Sequence, residues 1–365
     1  MAKTRIEPSD AVTVEHWEEK VFRESFKNSY FLSRFAGPKL ENGFKNNSTL
    51  MDSVVTLKRQ LESSQGDKIT FTFLPKLTGT GVTGTQKLEG NEERLINSTD
   101  DLTLQLYRHG VRDRGALDRK RPVFNMDKES EYFLQSWMSE KIDELCFEAL
   151  RSSPSRFFYL DSSGVPQTTT TEATAKSALN ASGSTLDDFK IFAFLKAFAK
   201  NGGADASGNR LQNPIKPIKH KGQDYYVLLV SEDVAYDLRT SSAYEQANRE
   251  ARERSSENPL FTGAEMIFNG VVVHTHENVP LATDGGGASV PWSHCHFLGQ
   301  GALAFAFGQR PKVSKQNFDY DNEHGYGISM IAKAKKCQFS LTEGGTAYDH
   351  GSFSVYLART KVNDA

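Results

Sequence analysis

The sequence predicts an α+β protein built in two or more layers, and three observations carry that expectation. Residues 127–151 repeat their apolar side chains at helical spacing, Tyr225 to Val230 form an unbroken apolar run of strand type, and Ile69, Phe71 and Phe73 alternate with Lys68, Thr70 and Thr72. At 365 residues the chain can hold two or three units with cores of their own.

Taken in order, residues 1–36 show helical spacing, with Trp17, Val21, Phe22, Phe26, Tyr30 and Phe31 on one face until Gly37-Pro38 stops the pattern. The simple reading is an amphipathic helix on the chain's own core, and the sharper one is a terminal arm laid on a neighbouring subunit. A strand at 67–74 follows. From Pro75 to Asp101 the chain has few large apolar residues and cannot bury enough surface to fold on itself. A second strand, Asp101 to Tyr107, closes this segment with Leu102, Leu104 and Leu106 on one face, so residues 66–111 read as a long arm that grips a neighbour.

Residues 127–151 predict a helix roughly 37 Å long, capped near Asn125 or Asp127 and striped by Leu134, Met138, Ile142, Leu145 and Ala149. Ser162 to Thr185 reads as a solvated loop and a domain junction. Thr185 and Asp188 predict a capped start for a helix carrying Phe189, Phe192, Leu195 and Phe198, ended by Asn201-Gly202-Gly203. Tyr225 to Val230 is expected to be a central strand, 231–255 a helix with a charged face, and Ile267 to Thr275 a strand broken at Asn269-Gly270. Shorter strands are expected at 302–307, 328–335 and 353–358.

Composition narrows the function. Lys plus Arg number 44 against 46 Asp plus Glu, so no overall basic field is present to hold nucleic acid through its phosphates. Cys146, Cys295 and Cys337 are odd in number and lack metal spacing, which predicts a reducing compartment and no disulfide framework. No apolar signal core or run of about 18 apolar residues occurs, so neither membrane association nor export is expected, and the chain is read as cytosolic where it is made.

Enzyme chemistry finds weak support. Gly79-Thr-Gly-Val-Thr-Gly84 has the G-x-G-x-x-G spacing, but no apolar helix follows it, so a flexible loop tip is the better reading. The pairs His274/His276 and His294/His296 could each present two ligands on one face of a strand, which leaves a metal-dependent cytosolic enzyme as an alternative. Nothing in the sequence fixes the pairs in space, and Cys295 would point away from its neighbouring histidines. No metal, cofactor or catalytic residue is therefore expected. Arg108, His109, Arg112, Arg114, Arg119, Lys120 and Arg121 form a basic cluster ahead of the long helix.

Gly66-Asp-Lys-Ile-Thr-Phe, Leu77-Thr-Gly-Thr-Gly-Val82, Leu88-Glu-Gly-Asn-Glu-Glu93 and His109-Gly-Val111 together resemble the tailed-bacteriophage major capsid proteins of the podovirus-type coat family. Asn258-Pro-Leu-Phe-Thr-Gly-Ala264, Leu298-Gly-Gln-Gly-Ala302 and Asp349-His-Gly351 agree in the same order, so the resemblance covers nearly the whole chain. It implies the Hong Kong 97-type fold, with 1–49 as N-terminal arm, 50–124 as extended loop (66–111) and flanking strands, and 125–184 as peripheral domain with its spine helix. Residues 185–300 would be the axial domain and 301–365 the return to the peripheral domain.

The implied function is a shell subunit in the virion, assembled in the host cytoplasm as hexamers and pentamers around double-stranded DNA without sequence-specific binding. The implied partners are further copies of itself, a portal protein, a separate scaffolding protein and a decoration protein. A non-viral encapsulating shell of the same fold is the other alternative. Intersubunit contacts are expected from the arm residues Trp17, Phe22 and Phe26 and the loop residues Lys76, Leu77, Val82, Leu88, Glu89, Glu92 and Glu93. Arg108 and Arg112 are expected among the contacts as well; read from the residues, the basic cluster from Arg108 to Arg121 is either a solvated or salt-bridged base of the loop or the partner of Glu89, Glu92 and Glu93 between subunits of a closed lattice. Gly79, Gly81, Gly84 and Gly90 would let the loop adapt to slightly different neighbours.

Overall fold

The structure is a computed structural model that describes residues 28–36, 53–58, 66–74, 81–95, 97–121, 126–180, 184–186, 189–203, 214–220, 222–242, 266–286, 289–320, 322–340 and 345–359. Helix α1 (Tyr30–Phe35) is followed by strands β1 (Val55–Lys58), β2 (Lys68–Phe73), β3 (Ser98–Thr103) and β4 (Gln105–Arg112). Helices α2 (Ala116–Lys120) and α3 (Met126–Arg151) lead to β5 (Phe157–Leu160), β6 (Pro166–Thr169), α4 (Glu172–Ser177) and α5 (Lys190–Asn201). Then come β7 (Ile218–His220), β8 (Gln223–Val230), α6 (Glu232–Thr240), β9 (Met266–Phe268), β10 (Val271–Thr275), β11 (Leu281–Gly285) and β12 (Val290–Leu298). The chain closes on β13 (Leu303–Phe318), β14 (Glu323–Lys335), β15 (Gln338–Ser340), β16 (Ala347–Asp349) and β17 (Ser352–Ala358).

Two sheets share the core. A nine-stranded mixed sheet runs β6-β5-β17-β12-β8-β10-β9, with β11 beside β12 and β7 beside β8, and a four-stranded sheet runs β1-β13-β14-β4. Tyr226 to Val230 are fully buried because β8 lies between β10 and β12 with both faces covered, as its unbroken apolar run predicts. Helix α3 packs on β13, β14 and β4, and its predicted stripe Leu134, Met138, Ile142, Leu145 and Ala149 is buried throughout. Each of its larger side chains contributes about 1.5–3 kcal/mol by leaving water. The caps expected at Asn125 and Asp127 fall outside the described side chains.

Several elements differ from expectation. The strand expected over 101–107 is two strands: β3 pairs with β2 (Ile69↔Leu102), and after Leu104 the chain changes sheet so that β4 pairs with β14 (Ile331↔Leu106). Leu102 is therefore buried and Leu106 exposed. Asn269-Gly270 does not break one strand but turns a hairpin, with φ of 48° and 78° and Val271 opposite Phe268, the geometry that a two-residue turn in a twisted hairpin requires.

The segment expected to be a loop over 162–185 supplies β6 and α4, and it buries Ala175 and Leu179 against Phe157, Tyr159, Trp292 and Tyr356. Helix α5 begins at Lys190 after Phe189, with no side-chain cap, while Gly202 ends it as expected at φ 75°, its N–H donating to Phe198 O at 2.7 Å. Helix α6 ends at Thr240, and the rest of the helix expected over 231–255 lies outside the described residues beyond 242. Ser29 is extended and caps α1 with its hydroxyl, so no helix runs continuously through it. Strands β13 and β14 extend well beyond the short stretches expected at 302–307 and 328–335. The large sheet runs across the boundaries expected at 184/185 and 300/301, since β5, β6 and β17 lie in it beside β8 and β12.

Candidate assembly surfaces

The projecting feature is the β2–β3 ribbon. Its root is tied to the body: Ile69 and Leu102 pack with Ala306, and Phe71 and Phe73 reach the cluster of Ala304, Cys337 and Phe339. Lys335 Nζ donates to Asp101 O at 2.6 Å, Gln338 N to Asp100 Oδ2 at 3.0 Å and Ser340 N to Ser98 Oγ at 3.0 Å. The bond from Lys68, with a further one from Thr70, holds the Asp101 carboxyl below its usual range. Beyond the root, residues 81–95 carry no helix or strand and are exposed except for half-buried Val82. A turn shapes this tip: Asn91 N donates to Leu88 O at 2.9 Å and Gly90 N to Glu92 Oε2 at 2.7 Å, with Gly90 at φ 87°. Leu88, Glu89, Glu92 and Glu93 thus stand on the surface, whereas Trp17, Phe22, Phe26, Lys76 and Leu77 lie outside the described residues.

The basic cluster divides. Arg112 donates from Nε to Glu323 Oε2 at 2.7 Å and lies over the Phe318 ring at 4.1 Å, so it is engaged within its own chain. Arg119 pairs with Asp113. Burial alone would raise the Asp113 carboxyl, but hydrogen bonds from His324 N and Gly115 N and the Arg119 charge outweigh burial and hold it low. Asn322 Oδ1 accepts from Ala116 N at 3.2 Å, which ties the end of the β13–β14 hairpin to α2. His109 stacks on Trp137 of α3 at 4.8 Å. Arg108, Arg114 and Lys120 remain exposed, and Leu117 on α2 is 65% exposed.

Helix α1 is seated by a buried acid of α3 that no motif marks. Asp143 of α3 accepts from Ser29 Oγ at 2.8 Å, Tyr30 N at 2.8 Å and Phe31 N at 3.0 Å. Burial raises its carboxyl, and these three bonds offset part of that shift.

His274, His294 and His296 sit in the core, while His276 is half-buried just past the end of β10. His274 and His296 both lie in register with Leu229, on strands that flank β8, so roughly 9–10 Å of sheet separates them. Burial pushes His294 down to about 3 and His296 well below its ordinary value, with the positive Lys336 and Arg151 adding to both, which leaves two neutral imidazoles 4.5 Å apart, His294 also packed on Tyr356. Among the described residues no group of three or more His, Cys, Asp or Glu is gathered to hold a metal ion. Burial also pushes the thiols of Cys295 and Cys337 up to about 12 and that of Cys146 well above its ordinary value, far from the range of a nucleophile.

This combination of a rigid two-sheet body and a projecting ribbon has close counterparts. The capsid of Ralstonia phage GP4 superposes with a TM-score of 0.71 at 24% identity, covering 100% of this chain and 97% of that one. The capsid of cyanophage Pam1 gives 0.69 at 22% identity, covering 85% and 90%. The major capsid protein of Pseudomonas phage KPP25 is 25% identical over 383 aligned positions, 94% of each chain. These neighbours share the Hong Kong 97-type fold that the sequence resemblance implies. A family model described as phage capsid protein matches residues 5–153 and 162–362, and the chain belongs to that family.

Proposed function

We propose that the chain is the major capsid protein of its phage, closing as hexamers and pentamers into an icosahedral shell around double-stranded DNA. The observation that carries this reading is the ribbon of residues 68–103, docked at its root and polar and exposed at its tip, on a body whose own core is complete. An exposed tip of this kind gains nothing for its own subunit and supplies contact area for the next. Residues 66–111 would act as the extended loop, α3 as the spine of the peripheral domain, and the region around β8, β10 and β12 as the axial domain.

The arm residues Trp17, Phe22 and Phe26, the loop residues Lys76, Leu77, Val82, Leu88, Glu89, Glu92 and Glu93, and Arg108 on β4 would contact neighbouring copies. Arg112 would contribute through the Glu323 and Phe318 contacts it already makes. The work of such a protein is geometric, without catalysis: many modest contacts become effectively permanent once the shell closes. A formal net charge of −2 suits a container that holds DNA without gripping its sequence. Portal, scaffolding and decoration proteins would complete the assembly, which takes place in the host cytoplasm.

Negative-stain electron microscopy with size-exclusion chromatography of the purified chain tests the reading. Shells, tubes, sheets or rings of five or six subunits are expected. A chain that stays monomeric at high concentration, alone and with the other head proteins of its phage, would overturn it.

A further inference from the structure

Lys336 and Asp349, both buried, pair at 3.1 Å, and the buried Asp143 holds three donors, so these charges are matched from within the chain. Arg156 is not. It stands just before β5 and is only 6% exposed, and its Nε is sealed from solvent without a hydrogen-bond acceptor. The guanidinium lies 5.8 Å from the Phe198 ring of α5, and among the described residues no carboxylate pairs with it. Asp349 reaches the adjoining Ser155 N at 3.1 Å but is occupied by Lys336 and by Gln338 Nε2 at 2.7 Å. Burial pulls the guanidinium below its ordinary value and the Tyr348 phenol acts in the other direction, yet an arginine keeps its proton at any working pH. A cation taken out of water without its counter-charge is strongly disfavoured, and the fold gives Arg156 none of its own.

We propose that Arg156 is a receiving site for an oxyanion from outside the chain, supplied by a carboxylate of a neighbouring copy, which rests on the shell reading above, or by free phosphate. Both present the same chemistry, two oxygens that the planar fork of a guanidinium takes by parallel hydrogen bonds. The Phe198 ring is within cation–π reach and helps to hold the head in place. The 6% of the side chain that stays open admits one small anionic group and is too little for a full shell of water, so an arriving oxyanion meets a charge that solvent screens poorly.

R156M keeps the length of the side chain without its charge and separates the two sources. In Tris chloride the unassembled R156M chain should melt at or above the wild-type temperature by circular dichroism, because an unmatched buried cation has been removed. About 10 mM phosphate in place of chloride at equal ionic strength is then added: a rise of about 2 °C in wild type, absent from R156M and partly kept by R156K, identifies free phosphate at the site. Without that rise, a particle yield at least about tenfold lower for R156M than for wild type, with R156K in between, identifies a carboxylate of the neighbouring copy. R156M melting well below wild type in Tris chloride would mean that Arg156 only fills space, and R156M matching wild type in both phosphate response and yield would mean that it binds nothing; either result overturns the proposal. A wild type that never assembles overturns the shell reading instead, and the phosphate response alone then decides on Arg156.

Discussion

Individual buried polar residues set measurable limits on this protein. Asp143 satisfies the first turn of α1 with three hydrogen bonds, and D143A would leave the Ser29 hydroxyl and the Tyr30 and Phe31 amides without their acceptor. We expect a loss of about 2–3 kcal/mol in urea unfolding, with D143N, which keeps a carbonyl acceptor, losing less. His294 and His296 give a pH dependence of known sign. Both folded-state values lie below the unfolded value near 6.5, so their contribution is intact above that pH and is lost as pH falls below it, that of His294 down to about 3, the unfolded chain taking up protons that the core refuses. By pH 5 the loss from His294 is about 2 kcal/mol. Urea midpoints at pH 7 and pH 5 should differ accordingly, and H294F should flatten the difference.

At the scale of elements, long periodic segments were legible in the sequence and elements created by distant partners were not. The stripe from Leu134 to Ala149 reads directly as α3, and M138A, at a fully buried position, should cost about 2–5 kcal/mol in the same assay. By contrast, Thr168 and Thr169 form a strand only because β5 lies beside them, and α4 is helical because Ala175 and Leu179 meet Trp292 and Tyr356, more than a hundred residues away. The three leucines at 102, 104 and 106 look alike in sequence, yet the change of sheet at Leu104 depends on β14 pairing with β4. Asn269-Gly270 was a readable signal whose meaning as a hairpin turn was missed. G270A should destabilise that hairpin by about 1–3 kcal/mol, since Gly270 sits at φ 78° and a Cβ there would lie 2.6 Å from Asp224 O. Among the residues proposed for contacts, the exposure of the acids at the loop tip was legible from composition. The engagement of Arg112 was not, because Glu323 lies 211 residues away.

For the whole molecule, the division between a complete core and a projecting tip predicts that folding and assembly separate. Deleting residues 81–95 should leave unfolding stability within about 0.5 kcal/mol of wild type, as for other surface changes outside the core, while assembly by microscopy is lost. Both sheets and α3 lie outside the deleted stretch. The burial of all three cysteines has a consequence for durability. With a thiol at about 12, only about one molecule in 10⁵ carries the reactive anion of Cys295 at neutral pH. Such a subunit can thus stand in air and water as part of a virion without rusting into random disulfides. Its shelf life is set by how often the fold opens, and not by the oxidant outside.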